Sequence, residues 1–245
     1  MVEFKVFDEN KNSYVIGDLL NMPYYFSYWN NTPHHDDHFY NRFKTTAKQY
    51  PNNILGLYDS SRTDETEPIP NVERLKNTVD QYIKINVNRD PNLNNLLNFV
   101  DDENVLCVHL RSGDKGIVDE KFIWKIQSLS EKYKKIIILC GIHQNGALSH
   151  HYPSVEESTN NMNISLDILR NNVKNTEIII DTSEPDTHIS LMRKAKNLLV
   201  HLGGFSIIGT IVFNGNNLYI TDLFYPIMNN NSDRIFSVVK NYTII

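Results

Sequence analysis

His109, Arg111, Gly113 and Asp114 close the segment Val105-Leu-Cys-Val-His-Leu-Arg-Ser-Gly-Asp-Lys115. A guanidinium is a charged fork suited to phosphate, and a glycine lets backbone come close to a ligand. Two more polar clusters follow, Asp181-Thr-Ser-Glu-Pro-Asp-Thr-His188 and His201-Leu-Gly-Gly-Phe-Ser206. Gly203 and Gly204 allow a tight turn into a helix whose first turn holds Phe205 and Ser206. The free amides of a helix start attract anions, so this loop and Arg111 could grip one diphosphate from two sides. Asp181 or Asp186 would suit a ribose or a base edge. Each cluster also has a plainer reading. Arg111 and Asp114 would pair across a turn, Ser206 would cap a helix in an ordinary connection, and Asp181 would be a helix N-cap.

The elements that would position these residues favour the functional reading. Val105–Leu110 is a short apolar run, the pattern of a strand buried in an α/β sheet. Helix is expected over Glu120–Tyr133, strand over Lys135–Cys140, helix over Ile164–Val173 and strand over Glu177–Ile180. A helix over Thr187–Ala195, a strand over Leu198–His201, a helix from Gly203 to about Phe213 and a strand over Asn217–Ile220 complete the series. Strict alternation of this kind predicts βαβ units on a parallel sheet. Right-handed winding then brings all three polar clusters to one edge of the sheet. We therefore expect a Rossmann-like domain over 104–245, and see no internal repeat.

Residues 1–103 are expected to form a reduced α/β domain of their own. A strand is read over Met1–Phe7, an aromatic stretch over Met22–Trp29, and helices over His38–Tyr50, Asn71–Val87 and, after Pro91, about Leu93–Val100. Tyr14–Leu20 reads as a strand or a helix start, Ile54–Tyr58 as a strand, and Ser60–Pro70 as a polar loop. Pro33-His-His-Asp-Asp-His38 concentrates groups able to serve as acid or base. Asp37 and His38 are its candidate catalytic residues. The same cluster would also serve as metal ligands, or as a solvated helix start with Asp36 and Asp37 favoured by the dipole. Tyr24, Tyr25, Phe26, Tyr28 and Trp29 are more simply core than a sugar-stacking surface.

Composition excludes several classes. The chain has 245 residues, 40% hydrophobic and 22% charged, as in an ordinary globular protein. A net charge of −5 and a pI near 6.0 argue against a general nucleic-acid binder. No signal peptide and no membrane-spanning run are read in it, so a cytoplasmic protein without stable membrane insertion is expected. Abundant Asn and Ile read as AT-rich base composition, of an organism or of a virus working in its host's cytoplasm. Cys107 and Cys140 are expected as buried thiols, a disulfide being the lesser alternative.

His109-Leu-Arg-Ser-Gly-Asp114 resembles the His-x-Arg-x-Gly-Asp motif of the α-1,2-fucosyltransferase-like superfamily, which includes α-1,6- and protein O-fucosyltransferases. The run Ser190-Leu-Met-Arg-Lys-Ala-Lys-Asn-Leu-Leu-Val-His-Leu-Gly-Gly-Phe-Ser206 is similar to that superfamily's second signature. Together the two motifs cover about 100 residues. The resemblance implies a two-Rossmann (GT-B) glycosyltransferase that moves a sugar, usually from GDP-fucose, to a glycan hydroxyl with inversion and without metal or cofactor. It implies that Arg111 holds the donor's β-phosphate. Ser206 and the backbone of Gly204 and Phe205 would bind phosphate or ribose, and His109 would orient the nucleotide or the arginine. The chain departs from the pattern twice. His188 stands where the family has an acidic residue that reads guanine, the nearest acid being Asp186, and Gly203-Gly204 stands where Ser or Thr usually begins the loop.

Two other functions fit the same elements. One is a nucleotide or sugar-phosphate binding protein without transferase activity. The other is an epimerase or pyruvyl transferase on the same scaffold, although no Gly-x-Gly-x-x-Gly follows any strand to favour a nicotinamide enzyme. Oligomeric state, linkage and acceptor are not legible in the residues.

Overall fold

A computed structural model describes residues 6–8, 72–113, 115–144, 153–201, 204–222, 239 and 242–245. Six strands form one parallel sheet: β2 (Val105–His109), β3 (Lys135–Leu139), β5 (Glu177–Asp181), β6 (Asn197–Val200), β7 (Asn217–Ile220) and β8 (Tyr242–Ile244). Their spatial order is β5-β3-β2-β6-β7-β8. The chain enters at the centre with β2, steps outward through β3 to β5, and returns to the other side of β2 with β6. That reversal makes the β2–β6 boundary a topological switch point, where connections leave for opposite faces and open a crevice. A separate pair joins β1 (Val6–Asp8) to β4 (Ile142–Gln144) in parallel.

Alternation along β2 divides the core. Val105 and Cys107 face one side, with α5 (Pro185–Lys194) and α6 (Gly204–Val212). Leu106, Val108 and Leu110 face the other, with α3 (Glu120–Ser130) and α4 (Val155–Asn172). The inner strands β2, β3 and β6 are buried on both faces, hence their unbroken apolar runs. Two earlier helices, α1 (Val72–Asn86) and α2 (Pro91–Val100), pack on the α5 side, contributing Val79, Ile83, Leu93, Leu97 and Val100 to that core. Residues 72–100 thus share a core with the sheet that follows 104. Arg193 of α5 ties this layer together, donating to both carboxylate oxygens of Asp80 at 3.0 and 2.7 Å and to the Val212 carbonyl at 2.9 Å.

Several elements differ from the expected bounds. α4 begins at Val155, nine residues before the expected Ile164; over that stretch its buried positions are Ser158 and Met162, too few apolar residues to set a period. Ser154 caps it, accepting from the Glu157 amide at 3.0 Å, and Glu156 and Glu157 complement the dipole of its first turn. α5 starts at Pro185 rather than Thr187, since proline at N1 has no amide to leave unsatisfied. Its N-cap residue is Glu184, so Asp181 is the last residue of β5 and not a cap. Strands β4 and β8, three residues each, were not expected. Cys107 and Cys140 are free thiols in cores on opposite sides of the sheet. Burial pushes the Cys140 thiol up to about 12, with Asp181 adding to the effect. The readings over Tyr14–Leu20, Met22–Trp29, His38–Tyr50, Ile54–Tyr58 and Ser60–Pro70 lie outside the described residues. No helix among the described residues is long and apolar enough to cross a membrane.

Candidate functional site

The carboxyl ends of β2, β3 and β5 open into a concavity walled by the start of α5 and by Phe205 of α6. His109, Arg111, Gly141, Ser183, His188 and Phe205 are among its lining residues. It adjoins the switch point, where α/β sheets hold ligands. His109 and Arg111 share the parity of Val105 and Cys107 along the chain, and both reach the concavity on the α5–α6 side.

His109 is fixed from behind. Its Nδ1 lies 2.7 Å from Oγ of Ser206, a hydroxyl on the first turn of α6. The Phe205 ring sits 5.2 Å away, tilted by 45°. This bond spans the switch point, joining the end of β2 to the helix that follows β6. Ser206 has no exposed surface, so it positions His109 instead of presenting its hydroxyl to the concavity. Arg111 stands half-buried on the rim.

His188 and Asp181 form the second buried polar group. Nε2 of His188 lies 3.0 Å from Oδ2 of Asp181, and Ser183 Oγ donates to Oδ1 of the same carboxylate at 2.7 Å. Burial alone would raise the Asp181 carboxyl, yet contacts with His188 and Ser183 outweigh it and leave it below the usual carboxylate range. Asp181 therefore remains a carboxylate at neutral pH. Asp186, two residues before His188, points elsewhere. It is buried in the first turn of α5 and acts on Tyr82 of α1, whose phenol is pushed up to about 12 by burial first and by Asp186 second.

Gly113 does a different task from the one expected. Its φ is +79°, and an added Cβ would lie 3.0 Å from the Ser158 carbonyl oxygen and 3.3 Å from Ile142 Cδ1. The glycine is needed for a turn seated on the backbone of α4. Gly113 and Gly116 exchange two backbone hydrogen bonds of 3.0 Å. Ser165 of α4 takes the amide of Val118 at 2.9 Å and meets Ser112 Oγ at 2.7 Å, and Asn161 donates to the Gly113 carbonyl at 3.2 Å. The loop that carries Arg111 is thus clamped to α4. Asn161 and Ser165 are one helical turn apart, the one sequence signal that would have revealed the clamp. Asp37, His38, Asp114 and Gly203 lie outside the described residues, and Gly204 is the first residue of α6.

A second histidine borders the switch point on the opposite face. His201, at the end of β6, stacks on Phe122 with ring centroids 4.0 Å apart and planes 16° apart. Its Nε2 is 3.6 Å from Oδ2 of Asp119, the N-cap of α3. Neither ring nitrogen makes a hydrogen bond among the described residues. Burial pushes its pKa down to about 4, and the Asp119 carboxylate offsets this only in part. The unfolded chain therefore binds a proton near pH 6.5 that the folded chain refuses until about pH 4. Stability contributed by the neutral ring is complete above pH 6.5 and drains away as pH falls towards 4, by roughly 3 kcal/mol. Urea midpoints measured between pH 7 and 4 should fall accordingly, and His201→Leu should flatten that decline. An unchanged slope in the variant would place the acid sensitivity elsewhere.

No protein-family model, curated protein or solved structure matches this chain.

Proposed function

We infer that the chain is an inverting glycosyltransferase of GT-B type, moving a sugar from a nucleotide diphosphate donor to a glycan hydroxyl. The expected donor is GDP-linked, with GDP-fucose first among candidates. The observation that carries the reading is the meeting of Arg111, His109, His188 and Phe205 in one concavity beside the switch point. Breaking the bond at the anomeric carbon builds negative charge on the departing diphosphate. A guanidinium already in position stabilises that charge more than it stabilises the ground state. The clamp of the 110–118 loop on α4 keeps Arg111 in place without reorganisation during the reaction. Phe205 offers a flat apolar surface to a base or sugar ring. The remainder of the site would come from the acceptor-side domain read over 1–103, to which the Asp37–His38 cluster belongs.

A thermal-shift screen with GDP-, UDP- and dTDP-sugars, followed by transfer and donor-hydrolysis assays, tests the reading. At one hundred times Kd a ligand stabilises by about 2.7 kcal/mol, or roughly 5–10 °C for a chain of this size. GDP-sugars should give that shift and then turn over. Binding without turnover on any donor would favour a nucleotide-binding protein, and no shift with any nucleotide would remove both readings.

A further inference from the structure

Transfer to a hydroxyl also needs a group that accepts its proton. Two histidine–aspartate pairs stand at the sheet's carboxyl edge, and their surroundings separate them. His201 is stacked under Phe122 and does not line the concavity. His188 does line it, together with Arg111. Its Nε2 lies 3.0 Å from Oδ2 of the Asp181 carboxylate, an ion-pair contact without hydrogen-bond geometry, and its Nδ1 makes no hydrogen bond among the described residues. A carboxylate beside one ring nitrogen keeps the proton there, leaving the lone pair on the other. Asp181 is itself held by Ser183 at 2.7 Å. The charge of Asp181 therefore favours the Nε2–H tautomer, which leaves Nδ1 as the nitrogen able to accept a proton.

We propose that His188, oriented by Asp181, takes the proton from the acceptor hydroxyl during sugar transfer. The proposal rests on the glycosyltransferase reading. The hydroxyl oxygen bonds to the anomeric carbon as the bond from that carbon to the phosphate oxygen breaks, its electron pair leaving on the diphosphate beside Arg111. The hydroxyl proton passes to His188 Nδ1, and the imidazolium is balanced by the Asp181 carboxylate. His188 is the catalytic residue and Asp181 a positioning residue. The ionisable groups that share the concavity with the ring are His109 on β2, Arg111 after it, Cys140 after β3 and Glu184 at the N-cap of α5, with Asp181 on β5 beside Nε2.

The test is the pH dependence of kcat for the full chain with the donor found in the screen, at saturating donor and acceptor. It is run over the pH range in which melting curves show each protein to be folded. Wild type should show a limb that falls towards acid with unit slope. His188→Gln should lose that limb and about 10²–10⁴-fold in kcat, with donor KM within about threefold. Asp181→Asn should lower kcat by about 10²-fold at unchanged donor affinity, because the amide no longer favours the Nε2–H tautomer. Donor-induced thermal shift in both variants reports that they are folded. If His188→Gln raises donor KM and spares kcat, the ring reads the nucleotide and the proposal is overturned. A limb that persists in His188→Gln and vanishes in His38→Gln also overturns it, leaving the transferase reading intact. A wild-type chain that turns over no donor removes both.

Discussion

Replacing Arg111 with alanine should lower sugar transfer by about 10³-fold in kcat while the protein still folds. The expectation follows from where the side chain stands. It is half-buried on the rim of the concavity, outside both hydrophobic cores. Its removal leaves no void in either core, so melting should change by no more than the equivalent of about 1 kcal/mol, the scale of an exposed polar contact. Catalysis is another matter. Deleting one preorganised donor to a developing charge costs about 10²–10³-fold, and a guanidinium adds full charge and a second hydrogen bond. Arg111→Lys should recover little, because an ammonium is a point charge without the planar fork. Steady-state kinetics on the three proteins with one GDP-sugar, beside their melting curves, measure this. Wild-type turnover in the alanine variant would end the role assigned to Arg111. A collapse in melting temperature would show that the side chain is structural.

Gly113→Ala should cost more stability than any other single change in the loop that carries Arg111, about 2–5 kcal/mol. Two terms add. A left-handed φ of +79° costs an L-residue about 1–2 kcal/mol. The new Cβ would also press on a carbonyl of α4 at 3.0 Å, and a helix backbone gives way only by shifting the helix, about 1–3 kcal/mol. Gly116 supplies the control. Its φ is +86°, but an added Cβ there meets nothing within 4 Å. Gly116→Ala should therefore lose only the conformational term. Urea denaturation of both variants separates the contributions, and the excess in Gly113→Ala measures the seating of the loop on α4. Equal losses would mean that the turn does not lean on the helix. Arg111 is two residues away, so the Gly113 variant should also bind donor more weakly.

The sheet was legible because its inner strands are buried on both faces, so that Val105–His109, Lys135–Leu139 and Asn217–Ile220 read as short apolar runs. Helices α3 and α5 carried apolar periods and were found close to their true bounds. The first half of α4 was not, since its buried positions are Ser158 and Met162, and a single apolar residue gives a pattern search no period to follow. Strands β4 and β8 escaped for a different reason. Three residues hold no local pattern, and each exists because a partner strand is beside it.

For the site, residue types and strand ends determined what could be recognised: an arginine, histidines and acidic groups along one edge of a parallel sheet. Tertiary structure decided what each residue faces. His109 and Ser206 are 97 positions apart yet bonded, because the order of strands sets β6 next to β2. Asp186 and His188 are two apart on one helix, about 200° around its axis. The docking of α5 turns one towards Tyr82 and the other towards the concavity. Gly113 looked like a ligand contact until α4 lay against it. Local sequence specifies torsions, burial preference and chemical groups. Which groups meet depends on packing between elements distant in the chain, and no short-range pattern encodes that.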